Sequence, residues 1–318
     1  NPFGQEGDFI TAPNITRLFS EIITIWLITF LKSLGSPKKF NLIELGAGNG
    51  EMIKVICETL KNFPEHFSSC NFMIHEKSQY LIEQQKKNLK SEKITWIQDL
   101  KQNYTSPTIF LANEFFDALP IKQFIKKKDK WYERNVEFFQ PGKARFIDIL
   151  TNIKKLEKKV GFKISYKQKF IEFSPLANSY LKIISKKIRS SEGGLLIIDY
   201  GYFSENMKNT LQSVLNHRYN NILNNFGKAD ITYCVNFNLL KRIIDKLKLK
   251  TIGVTSQEKF LTNLGILKRA EMISINLPFS KKADIYYRLK RLIDKNFMGR
   301  LFKVMFISKK NINFKLGF

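Results

Sequence analysis

The sequence holds only three cysteines, Cys57, Cys70 and Cys234, and three histidines among 318 residues. Cysteines so few and scattered exclude a disulfide framework and a zinc site, and they point to a reducing compartment. Three histidines leave little for a metal centre. No apolar run reaches the length of a membrane span; residues 22–31 fall short. No signal-peptide pattern is evident, and the first residue is Asn1 rather than methionine, so the natural N-terminus is expected further upstream. Acids are also scarce, 28 against 53 basic residues, for a net charge of +25. Such a surface fits a nucleic-acid or anionic-membrane partner. The lysines, however, are spread over segments such as 126–128, 154–159 and 281–282 with no nucleic-acid-binding motif. Lysine-rich composition, giving solubility and weak nonspecific binding, accounts for them. A hydrophobic content of 43% is ordinary, and a chain this long buries one large core or two modest ones.

The most informative segment is residues 41–50, NLIELGAGNG. An apolar run leads to Glu44 and then to Gly46, Gly48 and Gly50, and residues 51–60 carry apolar side chains at helical spacing. A strand, a tight turn and a helix are predicted. Glycine is needed where the backbone takes positive φ and a ligand approaches closely. A dinucleotide loop would read G-x-G-x-x-G, but here the third glycine comes one position early and Glu51 stands in its place. That acid would repel a pyrophosphate. A Walker loop needs Gly-Lys-Ser/Thr, which is missing. The E-x-G-x-G-x-G form resembles the first motif of class I S-adenosylmethionine (SAM) methyltransferases, whose cofactor carries no phosphate.

That resemblance asks for a ribose acid at the end of the second strand, and residues 71–76 supply Glu76. A helix follows over 79–89. The next strand end, 94–100, offers Asp99, placed to accept from the adenine amino group, with Leu100 beside it. A fourth strand, 108–112, runs into Asn113, Glu114 and Asp117. Ligands of open α/β sheets bind outside the carboxyl ends of strands, where all these polar clusters fall.

The expected fold is a Rossmann-like α/β sheet with helices on both faces. The expected divisions are an N-terminal helical segment 1–40, a cofactor-binding core 41–120, an insertion 121–173, and the rest of the sheet, 174–318, with a substrate-side segment 202–235. One helix is predicted from Ile15 to Leu34, capped by Asn14. Residues 151–169 read as a solvated excursion and 202–233 as polar loops. Pro175 starts a helix, residues 193–199 form a buried strand ending in Asp199, and residues 301–308 close the chain as a strand.

Six strings recur in order: GDFITAP at 7–13, ELGAGNG at 44–50, LANEFFDALP at 111–120, IDYGY at 198–202, GKADIT at 227–232 and QEKFLTNLG at 257–265. Together they resemble the MidA family of SAM-dependent methyltransferases over almost the whole chain. That family includes the mitochondrial complex I assembly factor that methylates an arginine of a complex I subunit. The resemblance implies SAM as cofactor and a further helical segment before residue 1. It implies a protein substrate such as a complex I subunit, and a cytoplasmic location in a bacterium or the mitochondrial matrix in a eukaryote. Ala47 and Asn49 stand where the family usually has Pro and Arg, and residues 233–237 read YCVNF where it often has AHVDF.

A guanidinium is protonated at ordinary pH, so carboxylates must orient it and hold its charge. Asn113, Glu114 and Asp117 are the expected catalytic residues, and Asp199, at another strand end, is a second-tier candidate. Glu44, Gly46, Gly48, Gly50, Glu76, Asp99 and Leu100 are the expected cofactor residues, and Thr11 and Pro13 are expected to close over the cofactor. An RNA or small-molecule substrate, and a non-catalytic assembly factor keeping the fold, remain alternatives. Oligomeric state is open.

Overall fold

The protein is described from a computed structural model covering residues 11–90, 93–140, 142–215 and 218–318. Residues 7–10 of the GDFITAP string lie outside the described residues.

Two helices open the chain, α1 (Ala12–Ile15) and α2 (Arg17–Ser33). The expected single helix is broken at Thr16, whose φ of −159° is extended and whose side chain caps α2 by accepting from Leu18 N at 3.4 Å. Asn14 is therefore not the cap; it sits within α1 and donates to Thr11 Oγ1 at 2.8 Å. Helix α2 is apolar almost all round because it is buried almost all round. Its Trp26 packs edge-on against Phe306 and donates to Leu316 O at 3.2 Å.

Strands and helices then alternate: β1 (Phe40–Leu45), α3 (Glu51–Leu60), α4 (Pro64–Ser69), β2 (Cys70–His75), α5 (Gln79–Asn88), β3 (Ile94–Ile97) and β4 (Thr108–Asn113). Strand β1 pairs in parallel with β2, Leu42 opposite Phe72, and with β4, Leu42 opposite Ile109. Both β1 and β4 are buried along their length, as strands covered on two faces must be.

Residues 122–173 leave this pattern. Strands β5 (Lys122–Lys127), β6 (Lys130–Gln140) and β7 (Lys143–Thr151), helix α6 (Ile153–Val160) and strand β8 (Phe170–Phe173) follow in sequence. The four strands form an antiparallel sheet in the order β7-β6-β5-β8. Lys128 and Asp129 join β5 to β6, both at positive φ, the conformation a two-residue hairpin requires. The expected excursion at 151–169 contains α6 instead. Its Leu156 and Val160, four apart, are buried, while its lysines face out.

The sheet resumes after α7 (Pro175–Ser191) with β9 (Gly193–Tyr202). Residues 202–233, expected as loops, carry a small sheet of β10 (Gln212–Leu215), β11 (Arg218–Asn220) and β12 (Asp230–Thr232) in the order β11-β10-β12. Then come β13 (Val235–Asn236), α8 (Phe237–Lys246), β14 (Lys250–Ser256), α9 (Gln257–Asn263), α10 (Ile266–Ser274), α11 (Phe279–Ile293), α12 (Met298–Leu301) and β15 (Phe302–Ser308). The main sheet runs β14-β15-β9-β4-β1-β2-β3, with β15 antiparallel between β9 and β14. Gly193 permits β9 to close on β4, since a Cβ there would lie 2.0 Å from Thr108 O.

Alternate residues of each strand feed two cores. Leu42, Ile109 and Val304 pack with α2, α3, α9 and α11, whereas Ile43, Phe110 and Met305 pack with α7 and α8. The chain leaves β1 for β2 on one side, and β4 lies on the other. That switch point opens a crevice at the carboxyl ends of β1 and β4. No helix among the described residues is long and apolar enough to cross a membrane.

Candidate active site

The turn after β1 follows from its glycines. Gly46, Gly48 and Gly50 all have positive φ, of 65°, 54° and 85°. A Cβ on Gly46 would lie 2.9 Å from the Phe115 ring, and one on Gly50 would lie 2.8 Å from Leu89. Asn49, between the last two glycines, accepts from Glu51 N at 3.2 Å and donates to Asn14 Oδ1 at 2.9 Å. The side chain standing where the family usually has Arg thus ties the loop to α1. Helix α5 holds the loop from behind: Gln85 Nε2 donates to Gly48 O at 2.9 Å, and Asn88 Nδ2 donates to Asn49 O at 3.1 Å.

This turn forms one wall of an open cavity at the switch point, with about 870 Å³ of empty space when the solvent at its mouth is included. Of the residues singled out from sequence, the structure brings together Thr11, Pro13, Glu44, Gly46, Gly48, Asn113, Glu114 and Asp117. It adds Asn14, Asn49 and Met52, and from β12 Asp230, Ile231 and Thr232. The β12 residues fall in the GKADIT string. They also lie within the segment 202–235 expected on the substrate side, although the sequence did not show that a strand there meets the turn after β4.

Two acids after β4, Glu114 and Asp117, line the same cavity. Glu114 follows β4 at φ 51°, a costly conformation for a residue with a side chain. Its own N–H is fixed on Ile198 O at 2.9 Å, and its Oε1 accepts from Ala12 N at 3.3 Å and Asn113 Nδ2 at 3.2 Å. The residues after Asn113 form a turn rather than the helical turn that the spacing of Glu114 and Asp117 allowed. Both carboxylates nevertheless reach the same cavity. Desolvation, with the Asp117 charge added, pushes Glu114 up to about 8. Burial pushes Asp117 up to about 6, although Thr232 Oγ1 donates to its Oδ2 at 3.0 Å. Asp199, wholly buried behind them, accepts from Phe116 N and Tyr200 N, each at 2.9 Å. Burial and the adjoining Asp117 charge hold it well above the usual carboxylate range.

Glu44 is 4% exposed, and burial raises it to about 8. Among the described residues its Oε2 has no partner, nor does the buried Oδ1 of Asn113, and both residues line the cavity. Buried polar atoms without partners mark places where a ligand completes the hydrogen bonding. Two acceptors beside a glycine turn fit the methionine end of SAM, whose ammonium donates. The residues present therefore fit the implied cofactor.

Other predicted positions lie elsewhere. Gly50 caps the N-terminus of α3, outside the cavity lining. Glu76 is buried and turned onto its own chain, with Oε1 accepting from Lys77 N and Ser78 N at 2.8 and 2.9 Å. Its Oε2 meets Gln85 Nε2 at 3.4 Å, which links it to the glycine turn. Asp99 and Leu100 line a separate, open cavity with His75 and Tyr180. Phe115 touches both walls, packing on Gly46 and lying edge-on to Tyr180 at 5.1 Å between centroids. Of the residues departing from AHVDF, Asn236 caps α8 by accepting from Asn238 N and Leu239 N. Cys234 donates its N–H to Thr210 Oγ1 at 2.9 Å, and neither residue lines the cavity.

Comparison with known proteins places this geometry. A family model describing S-adenosyl-L-methionine-dependent methyltransferases matches residues 22–255. The mitochondrial protein arginine methyltransferase NDUFAF7 of Xenopus tropicalis is 29% identical, over 94% of this chain and 75% of its own. The human protein of the same name is 28% identical, over 85% of this chain and 66% of its own. A Burkholderia thailandensis protein crystallised with S-adenosyl-homocysteine superposes with a TM-score of 0.80 at 22% identity, covering 99% of this chain and 83% of that one. It shows the same fold.

Proposed function

The chain belongs to the family of S-adenosyl-L-methionine-dependent methyltransferases, and from that premise we propose that it methylates an arginine side chain of a protein substrate. One observation carries the reading: Glu114 and Asp117 line the same cavity as Gly46 and Gly48. A cofactor seated on the glycine turn would thus face two carboxylates suited to a guanidinium.

The roles follow from position. Glu44, Gly46 and Gly48 hold the methionine part of the cofactor, with Gly50 shaping the turn. Glu76 takes the ribose hydroxyls, and Asp99 and Leu100 flank the adenine. Thr11 and Pro13 close the cavity from α1. Bound SAM supplies an electrophilic methyl group on a sulfonium. Asn113, Glu114 and Asp117 orient the guanidinium in line with it, and positioning supplies much of the rate. The substrate nitrogen loses one proton as it gains the methyl group, and Glu114, poised at about 8, is placed to hold it. Because the two carboxyls are raised when no cation is present, guanidinium binding releases protons. Substrate affinity should therefore rise with pH through about 6 to 8.

A respiratory complex I subunit, the substrate implied by the MidA resemblance, is the first candidate, in the matrix of a mitochondrion or the cytoplasm of a bacterium. The test is incubation with methyl-tritiated SAM and total protein of the source organism, followed by hydrolysis to amino acids. Label in methylarginine, lost with Glu114→Gln, supports the reading. Label in RNA or a small molecule instead overturns it.

A further inference from the structure

We propose that Gln85 is a positioning residue for the cofactor, orienting Glu76 toward the ribose; this rests on the methyltransferase reading above. Gln85 lies on α5, wholly buried, and its amide joins three parts of the site. Trp96 Nε1 of β3 donates to its Oε1 at 2.9 Å. Its Nε2 donates to Gly48 O at 2.9 Å and to Glu76 Oε2 at 3.4 Å.

The orientation of this amide is forced. An indole N–H only donates, so the amide oxygen must face Trp96. The NH2 group must then face Glu76 and the glycine turn. Glu76 is fixed from the other side, since its Oε1 takes Lys77 N and Ser78 N. Oε1 is occupied by two N–H groups and Oε2 is held by one, so the remaining lone pair of Oε2 is left for a ribose hydroxyl. The same amide holds the carbonyl of Gly48, which lines the cofactor cavity. Gln85 thus sets the distance between the glycine turn and the ribose acid, two parts of one ligand site contributed by different strand ends.

The experiment compares binding of S-adenosylhomocysteine and its 2′-deoxy analogue to the full chain by calorimetry. The wild-type protein should bind the deoxy analogue about tenfold or more weakly, the loss expected for one hydrogen bond to a carboxylate. In Gln85→Met, which keeps the length and removes all three hydrogen bonds, the two ligands should bind within about twofold of each other. The normal ligand itself should weaken about tenfold or more. A general loosening of structure would weaken both ligands alike and leave the ratio unchanged, and an unchanged ratio overturns the proposal. Should Gln85→Met fail to fold, Trp96→Phe removes only the donor that fixes the amide. It should lower the ratio part of the way, and an unchanged ratio there also contradicts the proposal. A wild-type protein that binds both ligands equally removes Glu76 from the ribose 2′-hydroxyl and this role from Gln85. One that binds neither refutes the methyltransferase site itself.

Discussion

Replacing Glu44 by Gln should make the protein more stable at alkaline pH, although Glu44 lines the proposed cofactor cavity. Glu44 is 4% exposed, its Oε2 has no partner among the described residues, and desolvation outweighs the hydrogen bond from the Ile53 backbone, lifting it from 4.5 to about 8. A group raised on folding contributes stability that is fully present below its unfolded value and is lost as pH rises through its folded one. Here that window runs from about 4.5 to about 8. The difference is about 3.5 units, and at about 1.4 kcal/mol per unit the ceiling is about 5 kcal/mol. Local relaxation reduces it, so the expected gap is about 2–5 kcal/mol. At pH 4 a protonated glutamate and a glutamine have nearly the same shape, and the two proteins should match. At pH 9 the variant should be ahead by that gap. Urea unfolding of the cofactor-free proteins at pH 4, 6, 7.5 and 9 measures it, with the background of other titrating groups cancelling in the difference. Parallel loss of stability in the two proteins would refute the reasoning, because Glu44 would then be ionised and solvated rather than buried and waiting for a cationic ligand.

Three further outcomes follow from the same geometry. Glu114→Gln should lower methyl transfer at least about a hundredfold, the scale of removing one charge-assisted hydrogen bond from a reacting group, while changing S-adenosylhomocysteine affinity less than about twofold; a matching loss of affinity would move Glu114 to the cofactor site. Gly50→Ala places a side chain at φ 85° against Leu89 and should cost about 1–3 kcal/mol in urea unfolding, and an unchanged midpoint would contradict the assigned turn. Glu172 is 5% exposed and accepts the N–H and hydroxyl of Thr210 at 3.0 Å, clamping the four-stranded sheet to the segment before β10. Glu172→Ala should cost about 2–3 kcal/mol and speed hydrogen exchange at residues 208–215 without touching that of β1, whereas uniform acceleration would deny the clamp.

The readable parts of this chain are those governed by local physics. Residues 41–60 read as a strand, a turn and a helix because apolar period and glycine position act over a few residues. The strand ends carrying Glu44, Glu76 and Asn113 could be placed for the same reason. The break at Thr16 was hidden because the apolar pattern runs through it unbroken. Helix α6 was hidden because only two of its eight residues, Leu156 and Val160, are buried amid lysines. The small sheet at 212–232 was hidden because its strands are three or four residues long and polar. Pairings between distant residues were also out of reach. Ala12 meets Glu114 across 102 positions and Thr232 meets Asp117 across 115, and no period in the sequence encodes such pairs. Nothing in the sequence of the helix at 79–89 singled out Gln85, yet it is wholly buried, where one donor and two acceptors converge on it.

The central claim is that the glycine turn and Glu76 hold SAM. The most direct test is calorimetric titration of S-adenosylhomocysteine into the full chain and into Glu76→Ala. The account predicts micromolar binding by the wild-type protein and a loss of at least about tenfold in the variant, which removes the only carboxylate assigned to the ribose hydroxyls. A well-folded wild-type protein that takes up no ligand, or a variant that binds equally well, would contradict it.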